Sequence, residues 1–166
     1  IMYNFNGQTV IVDIPEGGNV RLVAQGNSSI DNVSMGSNGT LEESNLTGDG
    51  FINVVIPAGA QVTLTGSFSQ VDVDASGADI NLSGGSSINT LNVNAPANIG
   101  GAGQITNANV NVNEVTIEQN PENVTLARGV TAIINNTIAT GEPPTSPPAG
   151  GGGGGGGGGV IVLPND

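Results

Sequence analysis

The chain of 166 residues contains no cysteine, no histidine and no lysine. These absences exclude disulfides, thiolate metal sites, Ser–His and Cys–His nucleophiles and Schiff-base lysines. Carboxylates are the main acid–base groups that remain, and no sequence pattern places a pair of them in a substrate cleft. We therefore expect a protein that is not an enzyme.

Basic residues are scarce, because only Arg21 and Arg128 oppose 14 acidic residues, for a net charge of −12. Without a basic patch to neutralise phosphates, binding to nucleic acid or to an anionic membrane surface is disfavoured. No apolar run approaches the roughly 18 residues that a membrane-spanning helix needs. We expect neither nucleic acid as a partner nor insertion into a membrane.

Aromatic residues make up 2% of the sequence, and none follows Phe68. The 28 glycines and the many asparagines disfavour helices. Apolar residues instead recur two positions apart, which places alternate side chains on a buried face and predicts an all-β chain. The apolar pairs and triplets are Val10/Val12, Val20/Leu22, Ile52/Val54/Ile56, Val62/Leu64, Val71/Val73, Ile80/Leu82, Leu91/Val93, Val110/Val112, Val115/Ile117 and Val124/Leu126.

The spacing of these runs indicates a repetitive fold. Val62, Val71 and Ile80 are nine residues apart, with Gly, Ser, Asn or Asp between the runs. Short strands at this spacing indicate either a solenoid or a β-sandwich of the jelly-roll kind. Hairpin dipeptides such as Asn38-Gly39 are confined to the first third, which favours the solenoid.

We therefore predict a parallel β-helix, or solenoid-like body, of five or six coils, with a β-sandwich or jelly roll as the alternative. The segment from Asn27 to Gly50 is less regular, and its large apolar residues are far apart. It fits either a looser coil with long turns or part of a separate β-layer.

The end of the sequence has a different composition. We predict a body over residues 1–139, a Pro/Gly-rich linker over 140–159 that includes ten consecutive glycines, and a terminal strand over 160–166. Val160, Ile161, Val162 and Leu163 are the residues expected to mediate assembly, since they form a short, mostly β-branched run. This strand either folds back on its own body or is donated to another subunit, and donation is the favoured alternative. The run from Tyr3 to Ile14 is an equally plausible donor.

One acidic cluster fits a weak calcium site. Asp72, Asp74 and Asp79 offer oxygen ligands near Gly77, in an order that resembles a calcium-binding loop. Ser83 stands where such a loop has its bidentate glutamate, so tight binding is not expected. No other cofactor is predicted.

Three short motifs carry a resemblance to a known group of proteins: Asn-Val-Asn-Val-Asn at 109–113, Val-Thr-Ile at 115–117 and Pro-Glu-Asn-Val-Thr at 121–125. The surrounding segment, Leu91 to Ile134, resembles repetitive cell-surface proteins of Gram-positive bacteria, of the type associated with S-layers. The resemblance implies an exported surface protein with a β-solenoid-like fold.

Together these observations predict an extracellular structural subunit at the cell surface. We expect it to assemble with itself into a filament or surface matrix by donating a β-strand. The alternative is a carbohydrate-binding or adhesive module whose partner is a cell-wall or extracellular polysaccharide.

Overall fold

The computed structural model describes residues 1–14, 18–142 and 159–161, the last three by their backbone alone. These residues form seventeen β-strands and no helix. Nine strands form sheet A, in the order β1 (Met2–Tyr3), β3 (Val20–Gly26), β5 (Gly39–Leu46), β7 (Gln61–Thr65), β9 (Ala78–Leu82), β11 (Ala97–Gly101), β13 (Val115–Ile117), β15 (Thr131–Ile134) and β16 (Thr137–Thr140). Eight strands form sheet B, in the order β17 (Gly159–Ile161), β14 (Asn123–Leu126), β12 (Gln104–Val110), β10 (Ser87–Val93), β8 (Ser67–Val73), β6 (Gly50–Ile56), β4 (Ser29–Met35) and β2 (Asn6–Val12).

Successive strands of the body alternate between the two sheets, and each strand pairs in parallel with the strand two places later. This is a β-solenoid of about seven turns, so the predicted parallel β-helix is confirmed. The parallel pairing distinguishes it from the alternative of an antiparallel sandwich. The nine-residue spacing is half a turn: Val62 lies in sheet A, Val71 in sheet B, and Ile80 returns to sheet A against Val62.

Aliphatic residues stack in columns along the interior because corresponding positions of successive coils are in register. In sheet B one buried column contains Val33, Val54, Val71, Leu91, Ala108 and Val124. In sheet A a matching column contains Val62, Ile80, Ile99, Ile117 and Ile134. The Phe51 and Phe68 rings also stack, with centroids 6.3 Å apart and planes inclined by 5°. The interior is thus filled by repeated side chains of similar size.

The segment from Asn27 to Gly50 forms a regular part of the solenoid. It supplies β4 to sheet B and β5 to sheet A, both paired in parallel on each side. Its irregularity is confined to a register shift between β3 and β5, near Glu43 and Leu46. Asn45 has a positive φ of 50° in the same stretch. Of the two alternatives, a coil of the solenoid is confirmed over a separate β-layer, but the long turns are wrong, because the connections at 36–38 and 47–49 are short. The solenoid has about seven turns instead of the predicted five or six.

The two ends of the solenoid differ. At the carboxyl end both sheets finish with an antiparallel strand, β16 on β15 and β17 on β14. At the amino end β2 pairs with β4 alone among the described residues, and β1 covers only two residues of β3. The parallel sheets therefore end in antiparallel strands at the carboxyl end, whereas the edge of the parallel strand β2 remains at the amino end.

Candidate functional site

The structure separates the three predicted calcium ligands. Asp72 faces outward from β8 in sheet B, and Asp74 follows the end of that strand. Asp79 lies in β9 of sheet A, aligned with Gln61 and Asn98. Within the described ranges, no group of three or more His, Cys, Asp or Glu side chains is arranged to hold a metal ion. Calcium binding at these residues therefore stays a prediction that their placement does not favour.

Asp72 instead begins a ladder of side-chain amides on the outer face of sheet B. Its Oδ1 accepts a hydrogen bond from Asn92 Nδ2 at 2.6 Å, and Asn92 Oδ1 accepts one from Asn109 Nδ2 at 2.8 Å. Gln70 Nε2 donates to both carboxylate oxygens of Asp72, at 2.9 and 3.1 Å. The carboxylate is thus engaged by two neighbouring amides.

A second ladder runs beside the first. Asp74 Oδ1 accepts from Asn94 Nδ2 at 2.8 Å, and Asn94 Oδ1 accepts from Asn111 Nδ2 at 2.7 Å. An ionised carboxylate only accepts, so each aspartate fixes which way the amide above it is oriented. The two acids act as acceptors that start a chain of amides, a role that strand alternation alone did not reveal.

Polar side chains also take the place of main-chain carbonyls where the chain passes from one sheet to the other. Parallel strands leave such gaps at the corners, and a buried backbone N–H without an acceptor is costly. Serine hydroxyls and asparagine carbonyls fill them. The acceptors are Ser28 for Phe5 N (3.0 Å), Ser37 for Ile14 N (2.7 Å), Ser86 for Gly66 N (3.0 Å), Asn38 for Gln61 N (2.8 Å) and Asn113 for Thr131 N (2.8 Å).

Glu43 performs the same function with a charged group. Its Oε1 accepts from Phe51 N and its Oε2 from Ser67 N, both at 2.8 Å, so it joins the starts of β6 and β8. Burial raises the pKa of Glu43 above its usual value of 4.5, although the two N–H groups act in the opposite direction. At Gly66, with φ of 133°, an added Cβ would lie 2.6 Å from the Cβ of Glu43. The glycine therefore makes room for the carboxylate.

The surface of the described coils has shallow depressions. One, of about 270 Å³, is lined by Ile14, Gly18, Gly36, Ser37, Asn38, Gly59 and Ala60. Another, of about 290 Å³, is lined by Asn6, Gly7, Gln8, Ser29 and Asp31. Neither lining contains a pair of carboxylates, which is the arrangement that acid–base hydrolysis of a glycoside would use.

The structure describes only part of the predicted assembly strand. Ile161 pairs with Val124 and Val160 with Thr125, both within this chain, so the structure adopts the fold-back alternative for these residues. Val162, Leu163 and the glycine run up to residue 158 lie outside the described residues. The strand begins at Gly159, one residue before the predicted boundary, and β16 ends at Thr140, beside the predicted end of the body.

Large exposed apolar side chains cluster at the two ends. Of the described residues, five lie in the first coil: Ile1, Tyr3, Phe5, Ile11 and Ile14. Two more, Ile133 and Ile138, form a cross-strand pair between β15 and β16. The long sides of the solenoid carry mainly amides, hydroxyls and carboxylates, so the apolar surface is concentrated where strand edges are.

Comparison with known proteins gives one informative likeness. No protein-family model and no curated protein matches the chain. The fold is similar to that of chitinase ChiW from Paenibacillus sp. str. FPU-7, a bacterial cell-surface-expressed multi-modular enzyme machinery, with a TM-score of 0.61 and 23% identity. The match covers 93% of this chain but only 16% of that protein, so it corresponds to a small part of the larger chain. At this identity the likeness establishes the fold.

The described part of the chain contains no helix that is long and apolar enough to cross a membrane.

Proposed function

We propose that this protein is an extracellular structural subunit of the bacterial cell surface, which self-assembles into a filament or surface matrix by exchanging its terminal strand between subunits. The surface location is supported by the sequence resemblance over Leu91 to Ile134 and by the fold it shares with part of a cell-surface protein. A structural rather than catalytic role is supported by the engagement of Asp72 and Asp74 in amide ladders.

The antiparallel pairing of β17 with β14 carries this proposal. β17 follows a long Pro/Gly-rich segment and contributes three residue pairs at the edge of sheet B. The same hydrogen bonds form if the strand comes from a neighbouring subunit. Such an exchange therefore costs little free energy, because identical contacts are made. Exchange that does not close into a ring produces a filament.

Two variants that act in opposite directions test strand exchange. Deleting residues 160–166 removes the donated strand and should leave a folded solenoid that forms no filaments. Deleting five of the ten glycines restricts folding back and should increase filament formation, because a shorter hinge favours exchange over self-pairing. Electron microscopy and light scattering report assembly, and far-UV circular dichroism reports the fold. Undiminished filaments in the first variant would refute donation by this strand.

A second candidate function, adhesion to a polysaccharide, is favoured by the regular rows of amides and hydroxyls on the outer face of sheet B. Aligned outward residues there include Thr90, Asn107 and Asn123 in one row, and Asn92, Asn109 and Thr125 in the next. Co-sedimentation with insoluble chitin and cellulose tests it, with Asn109→Asp and Thr125→Asp as variants of the rows. Binding that these changes abolish would support adhesion, and an unbound wild-type chain would count against it.

A further inference from the structure

The amino-terminal stretch of the chain lacks the charged side chains that other parts of the surface carry. Residues 1–12 contain no charged side chain, in a chain whose net charge is −12. β2 lies within this stretch and spans seven residues, Asn6 to Val12. It also has no proline, although charges and prolines are common devices that keep a strand edge from pairing with another chain. β2 is thus a long edge without those protections.

The first coil also exposes most of the large apolar side chains found at the surface of the described residues. Ile11 is 73% exposed on β2, and Tyr3 on β1 is 70% exposed. Phe5 and Ile14 flank β2 in the chain and are about 40% exposed. Exposed apolar side chains beside a strand edge that no described residue covers mark a site of association.

Of the described edges at the other end, β16 spans four residues and would leave part of a seven-residue edge without backbone partners. A second β2 has the same length. Two copies related by a two-fold axis pair such identical strands antiparallel, which gives a self-complementary interface.

Charge favours the same partner. Association of two copies through most other surfaces would bring carboxylates together, which costs free energy in a chain this acidic. β2 itself carries no charged side chain, and Asp13 lies just beyond its end, so contact between two β2 edges avoids most of that repulsion. We infer that the amino-terminal edge is a homodimer interface, in which β2 pairs antiparallel with β2 of a second copy and joins two B sheets into one.

This inference adds a second interface to the proposed self-assembly and does not depend on strand exchange at the carboxyl end. With both, each subunit contacts one copy through its first coil and other copies through its last coil. With the first-coil interface alone, association stops at a dimer.

Two exposed isoleucines provide a matched test in the full chain. Ile11 in β2 and Ile138 in β16 are both 73% exposed, so neither substitution removes core packing. Ile11→Asp replaces an apolar side chain of the proposed interface with an unpaired carboxylate on each copy, which dimerisation would desolvate, so it should weaken dimerisation by at least about tenfold. Ile138→Asp should leave it unchanged. Analytical ultracentrifugation over a concentration series measures both, and equal effects of the two changes would overturn the inference.

Engineered cysteines test the two-fold geometry, because the chain has no cysteine to interfere. Thr9 is exposed at the centre of β2, so in-register antiparallel pairing places it opposite Thr9 of the second copy. Side chains at directly opposite positions are close enough for a disulfide. Thr9→Cys should therefore form a covalent dimer on mild oxidation, whereas Thr140→Cys, on exposed β16, should not.

The outcomes separate this interface from strand exchange. A chain lacking residues 160–166 should still dimerise and should still cross-link through Cys at position 9. A mixture of the two cysteine variants that forms mainly mixed disulfides would indicate head-to-tail contact and overturn the two-fold arrangement. A wild-type chain that stays monomeric at high micromolar concentration would overturn the interface, even if filaments form through β17 at higher concentration.

Discussion

The coils from Ser67 to Ile134 and the segment from Asn27 to Gly50 build the same solenoid with different polar chemistry. In both regions neutral groups accept backbone N–H groups at the corners, such as Ser37 in the earlier segment and Asn113 in the later coils. The amide ladders that start at Asp72 and Asp74 lie in the later coils, whereas the earlier segment has the half-buried carboxylate of Glu43, which accepts two backbone N–H groups from neighbouring coils.

The difference coincides with a break in strand register. The pairing of β3 with β5 shifts between Ala24 and Gly26, and Glu43 lies in the stretch of β5 where the shift occurs. Glutamate reaches further than serine or asparagine and has two acceptor oxygens, so one side chain serves two strands. The cost is the desolvation of a carboxylate, which serine and asparagine avoid.

Removing Glu43 should have the largest effect of the changes that test this comparison. Glu43→Ala leaves the part-buried Phe51 N without its acceptor, at a cost of about 1–3 kcal/mol, whereas the exposed Ser67 N can bond to water instead. We expect the free energy of unfolding to fall by about 2 kcal/mol, measured by urea denaturation. Glu42→Ala is the control, because Glu42 forms an ion pair with the exposed Arg21 and should cost less than about 1 kcal/mol. Similar losses in both variants would contradict the role of Glu43.

The pH dependence of stability should distinguish the charged acceptor Glu43 from a neutral acceptor at the same position. Because burial raises the pKa of Glu43, the folded protein binds this proton more tightly than the unfolded chain does. The stability contributed by protonation is therefore fully present below pH 4.5 and is lost as the pH rises through the higher folded pKa. The wild type should thus lose stability relative to Glu43→Gln as the pH rises from 4.5 toward neutrality, as urea denaturation at each pH would measure. A difference that is constant or reversed over this range would contradict the raised pKa.

The smallest effect is expected in the amide ladders of the later coils. Asn92→Ala removes a donor to Asp72 and an acceptor for Asn109, both partly buried, and should cost about 1 kcal/mol. Asn98→Ala, on the exposed face of sheet A, should change stability by less than about 0.5 kcal/mol. Thermal and urea unfolding of the two variants measure the difference. If Asn92→Ala proved no more costly than Asn98→Ala, the ladder would have no measurable role in stability.

The core of the later coils was predictable because each contact there repeats a local pattern. Alternating valine, isoleucine and leucine with polar residues between them identified the inward columns, such as Val71 and Leu91. The segment from Asn27 to Gly50 was not decidable from its sequence. Within it, Glu43 accepts hydrogen bonds from residues 8 and 24 positions later in the chain. Contacts of that range leave no periodic signal.

The candidate site shows the same limit. The calcium-loop pattern groups Asp72, Asp74 and Asp79, but Asp79 lies half a turn away from the other two, in the other sheet. In a calcium-binding loop, residues that are close in sequence bind the same ion. At a corner of the solenoid, such residues lie in different sheets. The partners of Asp72 and Asp74 are instead Asn92 and Asn94, one full turn later. A search for polar residues repeated at the length of a turn would have found them.

The two amide ladders also give the outer face of sheet B an electrical polarity. In each bond the later coil donates and the earlier coil accepts, from Asn109 to Asn92 to Asp72 and from Asn111 to Asn94 to Asp74. The amide dipoles are thus aligned along the solenoid axis, with their positive ends toward the earlier coils. The two carboxylates lie at that positive end, as anions do at the amino terminus of a helix. The solenoid therefore has a side-chain counterpart of the helix dipole, already neutralised by its own aspartates.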